Sequence, residues 1–318
     1  MGTVEDSSSI GGPGLPGNNQ QKETNLKYRT LLPLALLALA ATAQAEDTLE
    51  KVARTGKITL AYRESSIPFS YLVGADKPVG MGVDISQAVV AEVKKALNKP
   101  ALEVDYVAVT SANRIPLVQN GTVDLECGST TNNSARAKDV TFAINYFYTG
   151  TRLLTKKSSG IKGYADLAGK QVSSTSGTTN VQVLRKFDRD HSLNMQMVYG
   201  KDHAESMLLV ESGRAVAFGM DDILLYGLKA AAKDPGEWDV VGEALQVEPY
   251  ACMLRKDDPR FKALVDKVIG DMMKSGDFAK LYAKWFTSPI PPNNNNLGAP
   301  MSDELKGNLK ALSDKPAT

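Results

Sequence analysis

Residues 111–136 have the sequence SANRIPLVQNGTVDLECGSTTNNSAR, and the first half of this stretch predicts a short helix. Proline is tolerated only in the first turn of a helix, because its missing N–H has no intrahelical partner there. Pro116 therefore places the helix start near Asn113, which caps it, and Gly121 ends it. This start puts Arg114 at the first helical position, where backbone N–H groups favour anions.

The second half of the stretch predicts a short strand that leads into a polar turn. The strand covers Val123–Cys127, and the turn begins with Gly128. Ser134 is the predicted cap of the next helix, which places Arg136 in its first turn. Hydroxyl groups, backbone donors and a guanidinium in one turn suit a small ligand with carboxylates, because arginine binds a carboxylate through two hydrogen bonds. A capped surface helix with a solvated arginine is the competing interpretation.

Strands and helices alternate on both sides of this stretch. Predicted strands cover residues 57–62, 102–109, 123–127, 151–155, 171–174, 197–199 and 215–220. Predicted helices cover residues 49–55, 84–97, 113–121, 180–188, 203–212, 261–275 and 277–286, and the segment after 288 is predicted as loop and peripheral tail. The alternation predicts an α/β fold with largely parallel sheets. Ligands bind such sheets beyond the carboxyl ends of strands, and polar clusters follow four of the predicted strands.

The composition is that of an ordinary globular protein. The chain has 318 residues, of which 42% are hydrophobic and 23% charged, and it is long enough for one large domain or two lobes. The formal net charge of +1 predicts neither a nucleic-acid partner nor a membrane-surface partner. Any charge specificity must therefore be local.

Residues 26–45 have the pattern of a cleavable secretory signal peptide. A basic start precedes the apolar run 31–41, and a small-x-small site ends at Ala45. The run is shorter than the roughly 20 residues of a membrane span, so we expect export to the periplasm with cleavage after Ala45. A buried N-terminal helix is the alternative. Residues 1–25 are expected to be disordered or to precede a true start near Leu26.

The chain's two cysteines and two histidines limit its redox and metal chemistry. Cys127 and Cys252 in an exported protein predict a single disulfide, which would contribute about 4–5 kcal/mol on the chain-entropy estimate. Two buried free thiols are the alternative. His191 lies in a charged, surface-like stretch, so few side chains remain for a metal site, and no Ser-His-Asp pattern is recognisable. We expect no metal, no cofactor and no enzymatic activity.

Seven literal runs give the chain a family resemblance. They are RESS (63–66), NRIPL (113–117), ECGSTTNN (126–133), TRLLTKK (151–157), ESGRAVAF (211–218), MLRKDDP (253–259) and KWF (284–286). On these residues the chain resembles the periplasmic glutamate/aspartate-binding proteins of ABC importers, which belong to the type II solute-binding proteins. The resemblance extends over essentially all of Thr48–Lys315, and Cys127 and Cys252 match the disulfide positions of that family.

The resemblance implies a two-lobed periplasmic binding protein type II fold of the α/β class, in which each lobe is a mixed sheet flanked by helices. Two crossover strands, expected near Tyr148–Leu153 and Tyr250–Leu254, join the lobes and let them close on a ligand. Lobe 1 is then residues 46–148 plus 254–318, and lobe 2 is residues 149–253.

The resemblance also implies that nine residues contact a glutamate or aspartate ligand. They divide by ligand group: Ser129, Thr131 and Arg136 for the α-carboxylate, Asp221 for the α-ammonium, Arg63, Arg114 and His203 for the side-chain carboxylate, and Ser111 and Thr179 as further hydrogen-bond donors. Three arginines against one aspartate match a ligand that carries two negative charges and one positive charge.

The implied function is that of a monomeric substrate-binding component, which binds glutamate or aspartate between its lobes and delivers it to the membrane permease of an ABC transporter. Two alternatives stay open: a same-fold periplasmic enzyme similar to cyclohexadienyl dehydratase, and a binder of glutamine or asparagine. Gln196 keeps the second alternative open. Further departures from the family pattern occur at Tyr199 and in the polar segment QVSS at 171–174.

Overall fold

The computed structural model describes residues 46–74 and 77–317. The predicted signal peptide, its cleavage site after Ala45 and the stretch 1–25 lie outside the described residues. Within the described ranges, no helix has both the length and the apolar character that a bilayer crossing requires.

The helices and strands alternate along most of the chain. The helices are α1 Thr48–Thr55, α2 Met81–Ala96, α3 Arg114–Gln119, α4 Thr179–His191, α5 His203–Glu211, α6 Asp222–Ala231, α7 Pro259–Ser275, α8 Asp277–Phe286 and α9 Asp303–Ala311. The strands are β1 Lys57–Tyr62, β2 Ser65–Ser66, β3 Ser70–Leu72, β4 Pro78–Val79, β5 Glu103–Ala108, β6 Leu125–Glu126, β7 Val140–Lys156, β8 Gln171–Thr175, β9 Gln196–Gly200, β10 Ala217–Asp221, β11 Trp238–Arg255, β12 Pro289–Ile290 and β13 Asn295–Asn296.

Eight of the strands form one mixed sheet in the order β5-β1-β6-β11-β7-β10-β8-β9. Strand β1 pairs in parallel with β5 and β6, and β8 pairs in parallel with β9 and β10. The two central strands β7 and β11 are antiparallel to each other and to their outer neighbours β10 and β6. The predicted α/β class and mixed sheets are confirmed, whereas the "largely parallel" prediction is wrong at the centre, where two strands cross in opposite directions.

The two central strands are unusually long. Strand β7 has 17 residues and β11 has 18, and their pairing runs from Val140 opposite Arg255 to Lys156 opposite Trp238. The sequence analysis predicted a strand at 151–155 and a crossover near Tyr148–Leu153, so it missed most of the length of β7. Irregularities in the register of β11 interrupt the ladder, and such bulges bend a strand.

The disulfide between Cys127 and Cys252 is present and joins neighbouring strands of the sheet. The Cα atoms of the two cysteines are 4.2 Å apart, since Cys127 follows β6 and Cys252 lies in β11 beside it. This confirms the predicted pairing. The polar segment at 171–174 is also accounted for, because the buried Ser173 and Ser174 hydroxyls donate to backbone carbonyls, Ser206 O at 2.9 Å and Gly219 O at 2.9 Å.

The predicted cap of the helix after the polar turn is wrong. The backbone N–H of Arg136 donates to the side chain of Asn133 at 2.9 Å, whereas the Ser134 hydroxyl donates to the carbonyl of Ala317 at 3.1 Å. The helix itself is a single 3₁₀ turn, Arg136–Lys138. Arg136 still lies in its first turn, as predicted.

The C-terminal segment is not peripheral, which corrects the sequence prediction. Helix α9 is capped by Ser302, whose hydroxyl accepts from Leu305 N, and it buries Leu305 to 1% exposure. The Asn308 side chain donates to the carbonyl of Asn145 in β7 at 2.7 Å. These contacts fix the tail against the crossover strands, and they depend on long-range partners that sequence pattern cannot show.

Candidate functional site

The nine predicted ligand residues lie together where four strands end. Arg63 follows β1, Ser129 follows β6, Thr179 follows β8, and Asp221 is the last residue of β10. All nine are buried, and none exposes more than 9% of its surface. Eight of them are linked by direct contacts or lie beside one another on the same loop, whereas the hydrogen-bond partner of Asp221 is Tyr250, which lies outside the predicted set.

Several contacts join the predicted lobes across the cleft. Arg63 Nη2 lies 3.4 Å from His203 Nε2, and the hydroxyls of Thr131 and Thr179 are 3.4 Å apart. Arg136 donates from Nη2 to the carbonyl of Gly177 at 3.2 Å. Each pair joins a residue of predicted lobe 1 to one of predicted lobe 2, so the cleft is closed.

Arg63 and Arg114 form one buried cationic end of the cleft, and their hydrogen-bond partners are neutral. Arg63 donates to the Ser111 hydroxyl at 3.0 Å and to the Ser129 hydroxyl at 3.5 Å. Arg114 donates from Nη1 to the carbonyl of Ser129 at 3.1 Å, and its Nε is buried without a partner. Burial and the neighbouring Arg114 lower the pKa of Arg63 to about 9, so an arriving anion would stabilise the charged guanidinium.

Arg136 follows Ser129 along the chain and donates hydrogen bonds to two backbone carbonyls. Its Nη1 donates to Thr131 O at 3.0 Å, and its Nη2 donates to Gly177 O. Burial and then the nearby Arg114 lower the pKa of Arg136 to about 10. Three buried guanidiniums with neutral partners leave several N–H donors for an anionic ligand, because each guanidinium carries five.

His203 acts as a hydrogen-bond acceptor toward Arg63. Because arginine has no acceptor atom, the 3.4 Å contact requires His203 Nε2 to accept from Arg63 Nη2. The proton therefore resides on Nδ1, which donates to the Thr175 hydroxyl at 2.9 Å. Burial, followed by the Arg63 and Arg114 charges, holds the pKa of His203 well below its usual value. His203 is thus neutral and holds Arg63 through this hydrogen bond.

Asp221 forms the opposite end of the cleft, where an acceptor is unpartnered. Tyr250 donates its hydroxyl to Asp221 Oδ2 at 2.5 Å, while Oδ1 is buried without a partner. Burial and then the Glu248 carboxylate raise the pKa of Asp221 to about 7. A buried carboxylate oxygen without a donor favours a cationic donor, such as an ammonium group.

Sequence analysis missed two buried glutamates. Glu248 in β11 accepts hydrogen bonds from the Thr131 and Thr179 hydroxyls, at 2.9 and 2.6 Å. Glu126 accepts from the Thr130 hydroxyl at 2.5 Å, and its other oxygen is unpartnered. The expected count of three arginines against one aspartate is therefore incomplete. The available signal was that Glu126 is the first residue of the matched run ECGSTTNN (126–133) and that Glu248 lies two residues before the crossover expected near Tyr250–Leu254.

The residues that departed from the family pattern lie outside the cleft. Gln196 is exposed at the start of β9, and the Tyr199 ring, 38% exposed, accepts at its hydroxyl from Arg185. His191 is also exposed, as predicted. The feature that kept a glutamine or asparagine ligand open therefore does not reach the site.

A cavity of about 410 Å³ is lined by none of the nine predicted residues, although Asp222 in its lining adjoins Asp221. Four aromatic rings line it, those of Phe147, Tyr148, Tyr226 and Tyr282, and Asp222 is the one charged side chain among its described lining residues. It offers no cation to a carboxylate, so the cleft fits an acidic ligand better. In the part of the chain that the structure describes, no group of three or more His, Cys, Asp or Glu side chains could hold a metal ion.

The sequence matches a family model and curated relatives over most of its length. The model for bacterial extracellular solute-binding proteins, family 3, matches residues 58–288. An L-glutamate/L-aspartate-binding protein of Pseudomonas aeruginosa is 51% identical over 294 residues, which are 91% of this chain and 97% of that protein. A glutamate/aspartate import solute-binding protein of Escherichia coli is 50% identical over 289 residues, covering 89% of this chain and 96% of that protein.

Solved structures share the fold. An ancestral amino acid-binding protein, described as a precursor of cyclohexadienyl dehydratase, aligns with a TM-score of 0.65 and 28% identity, covering 76% of this chain and 100% of that one. An ancestral arginine-binding protein bound to arginine aligns with a TM-score of 0.65 and 25% identity, covering 73% of this chain and 98% of that one. Together with the family match, these structures confirm the periplasmic binding protein type II fold.

Proposed function

The chain belongs to family 3 of the bacterial extracellular solute-binding proteins, and on that premise we propose that it binds glutamate and aspartate for an ABC importer. Relatives at about 50% identity are named for binding or importing these two amino acids, and solute binding is not an enzymatic activity. Both alternatives from the sequence analysis, the enzyme and the binder of neutral amides, are less well supported.

The observation that carries the proposal is the distribution of unpartnered polar groups in the cleft. Buried arginines at one end have neutral partners, and Arg114 Nε has none. Asp221 Oδ1 at the other end lacks a donor. Because buried polar groups are usually hydrogen-bonded, this pattern favours a ligand with carboxylates and an ammonium group.

We assign the ligand groups to the residues nearest each end. Arg63 and Arg114, with Ser111, receive the side-chain carboxylate, and His203 orients Arg63 toward it. Arg136, with Ser129, receives the α-carboxylate, and Asp221 receives the α-ammonium. Arg136→Ala then removes binding of every amino acid, because all of them carry an α-carboxylate.

The proposal includes the hinge and the destination of the ligand. Lobe 1 comprises residues 46–148 plus 254–318, and lobe 2 comprises residues 149–253. The strand order supports this division, since β5, β1 and β6 group at one end of the sheet and β10, β8 and β9 at the other. The mature protein, cleaved after Ala45, works as a periplasmic monomer that delivers its ligand to a membrane permease.

Calorimetric titration of the purified protein with L-glutamate, L-aspartate and L-glutamine tests the function. We expect binding of both acidic amino acids with a Kd near 1 μM, equivalent to about −8 kcal/mol, and much weaker binding of glutamine. Tighter binding of glutamine than of either acid contradicts the proposal. Conversion of prephenate or arogenate by the same preparation would instead support the enzyme alternative.

A further inference from the structure

Glu248 lies at the point where the two lobes and the crossover strand meet. It is 2% exposed and lies in β11, between residues whose partners belong to both lobes. Its Oε2 accepts from the Thr131 hydroxyl of lobe 1 at 2.9 Å and from the Thr179 hydroxyl of lobe 2 at 2.6 Å. Its Oε1 accepts from the Gln246 side-chain amide at 2.9 Å. Three donors therefore converge on one carboxylate.

We propose that Glu248 is a positioning residue that orients the Thr131 and Thr179 hydroxyls so that both accept hydrogen bonds from the ligand's ammonium group. Each hydroxyl has a single proton, and a carboxylate can only accept, so both protons point at Glu248. The 3.4 Å between the two hydroxyl oxygens is longer than either contact with Glu248, which agrees with this assignment. Toward the cleft, each hydroxyl oxygen therefore offers only lone pairs, so it can accept a hydrogen bond but cannot donate one.

This orientation changes the roles that the sequence analysis gave to the two threonines. Thr131 was expected at the α-carboxylate and Thr179 as a donor, but a hydroxyl whose proton is committed to Glu248 cannot donate to a ligand carboxylate. The inference deepens the proposed function and rests on it. The carboxylates of the ligand are left to the arginines and backbone N–H groups, and the ammonium is left to the oxygen-rich end.

The charge of Glu248 acts at the same end as Asp221. The groups that face Asp221 are Glu248, Asp222, the Tyr250 hydroxyl and the Asn180 side chain. Asp221 and Glu248 are also both close enough to Arg136 to act on the pKa of its guanidinium. Two acidic side chains that face one ammonium group strengthen its binding, and they disfavour ligands without an amine. Glu248 is thereby expected to select α-amino acids over simple dicarboxylates.

The substitution Glu248→Gln tests this assignment. The glutamine amide has the size of the carboxylate but carries no charge, and its nitrogen donates where a carboxylate oxygen would accept. The matched control is Glu243→Gln, the same change on the same strand at an exposed position. Calorimetry with L-glutamate is compared with titration of glutarate, which has the same two carboxylates and no amine. We expect E248Q to weaken glutamate binding about 10- to 100-fold, as for a charge-assisted hydrogen bond, and glutarate binding by less than about 3-fold.

Equal fold-losses for glutamate and glutarate, or no loss for either, would overturn the role of Glu248. A failure of the proposed function looks different, because glutamate would then not bind the unmodified protein or the E243Q control. Thermal unfolding of the unliganded variants checks that each is folded.

Two Thr179 variants that leave Glu248 intact cover the case in which E248Q does not fold well, and a double-mutant cycle adds a second test where it does. Thr179→Ser keeps the hydroxyl and is expected to stay within about 3-fold of the unmodified protein, whereas Thr179→Val removes it and is expected to lose about 10-fold. If Glu248 acts through Thr179, the double variant E248Q/T179V binds glutamate no more weakly than the weaker single variant. Additive losses in the cycle, or equal binding by T179S and T179V, would contradict the proposal.

Discussion

The end of the cleft around Arg63 and Arg114 has buried donors with neutral partners, whereas the end around Asp221 and Glu248 has buried acceptors. At the first end, Arg63 follows β1 and Arg114 begins α3, whereas the second end is formed by the last residue of β10 and by β11. A ligand with an anionic side chain and an α-ammonium satisfies both ends at once. In the proposed mode of binding, recognition and closure are therefore one event, because the two ends depend on different parts of the chain.

The largest expected effect comes from removing a cation at the first end. Arg114→Ala should weaken glutamate binding by about 2–5 kcal/mol, the usual loss when one partner of a buried charge pair is truncated. Glutamine, whose side chain carries no charge, should lose about 1 kcal/mol or less. Calorimetry with both ligands measures the difference, and the exposed Arg54→Ala serves as control. Equal losses for the two ligands would remove the distinction between the ends.

A smaller effect is expected from hindering closure between the ends. Gly177 has φ +79°, and a Cβ there would lie 2.6 Å from the Cα of Ala112, which belongs to the other lobe in the proposed division. Gly177→Ala should therefore weaken glutamate binding by about 1–3 kcal/mol, the range for overpacked contacts. The control is Gly169→Ala, which has a similar φ of +69° but no atom within 4 Å of the added Cβ.

The Gly169→Ala control isolates the backbone strain that both substitutions introduce. If G177A and G169A change the affinity equally, the contact with Ala112 has no part in closure. If only G177A weakens binding, the closed arrangement is the one that holds the ligand.

The smallest expected effect is a dependence of affinity on pH, and it reports on the second end. With a pKa of about 7, Asp221 is mostly protonated at pH 6 and must ionise to accept an ammonium group. Glutamate binding should thus be about tenfold weaker at pH 6 than at pH 8, and Asp221→Asn should remove this dependence. His203 stays neutral across this range in the unliganded protein, since its pKa lies well below the usual value.

The raised pKa of Asp221 also makes the free energy of unfolding depend on pH. Burial holds the pKa of Asp221 above its unfolded value near 3.9, so the folded state binds the proton more tightly. This contribution to the free energy of unfolding is fully present below about pH 4 and is lost as the pH rises through 7. Urea unfolding of the unmodified protein and the Asp221→Asn variant at several pH values measures it.

The sequence predicted the first end of the cleft better than the second. Pro116 fixes the start of α3, and so Arg114 could be placed from local rules alone. The roles of Glu248 and Tyr250 depend on how β11 pairs with β7 and bulges at the crossover, and those are long-range contacts. The tautomer of His203 depends on its distance to Arg63, which no sequence pattern contains.

A crystal structure of the protein with L-glutamate tests the two-ended cleft most directly. The account predicts the side-chain carboxylate on Arg63 and Arg114, and the ammonium group on Asp221 with the Thr131 and Thr179 oxygens. A ligand bound in the reverse direction, or outside the cleft, would contradict it.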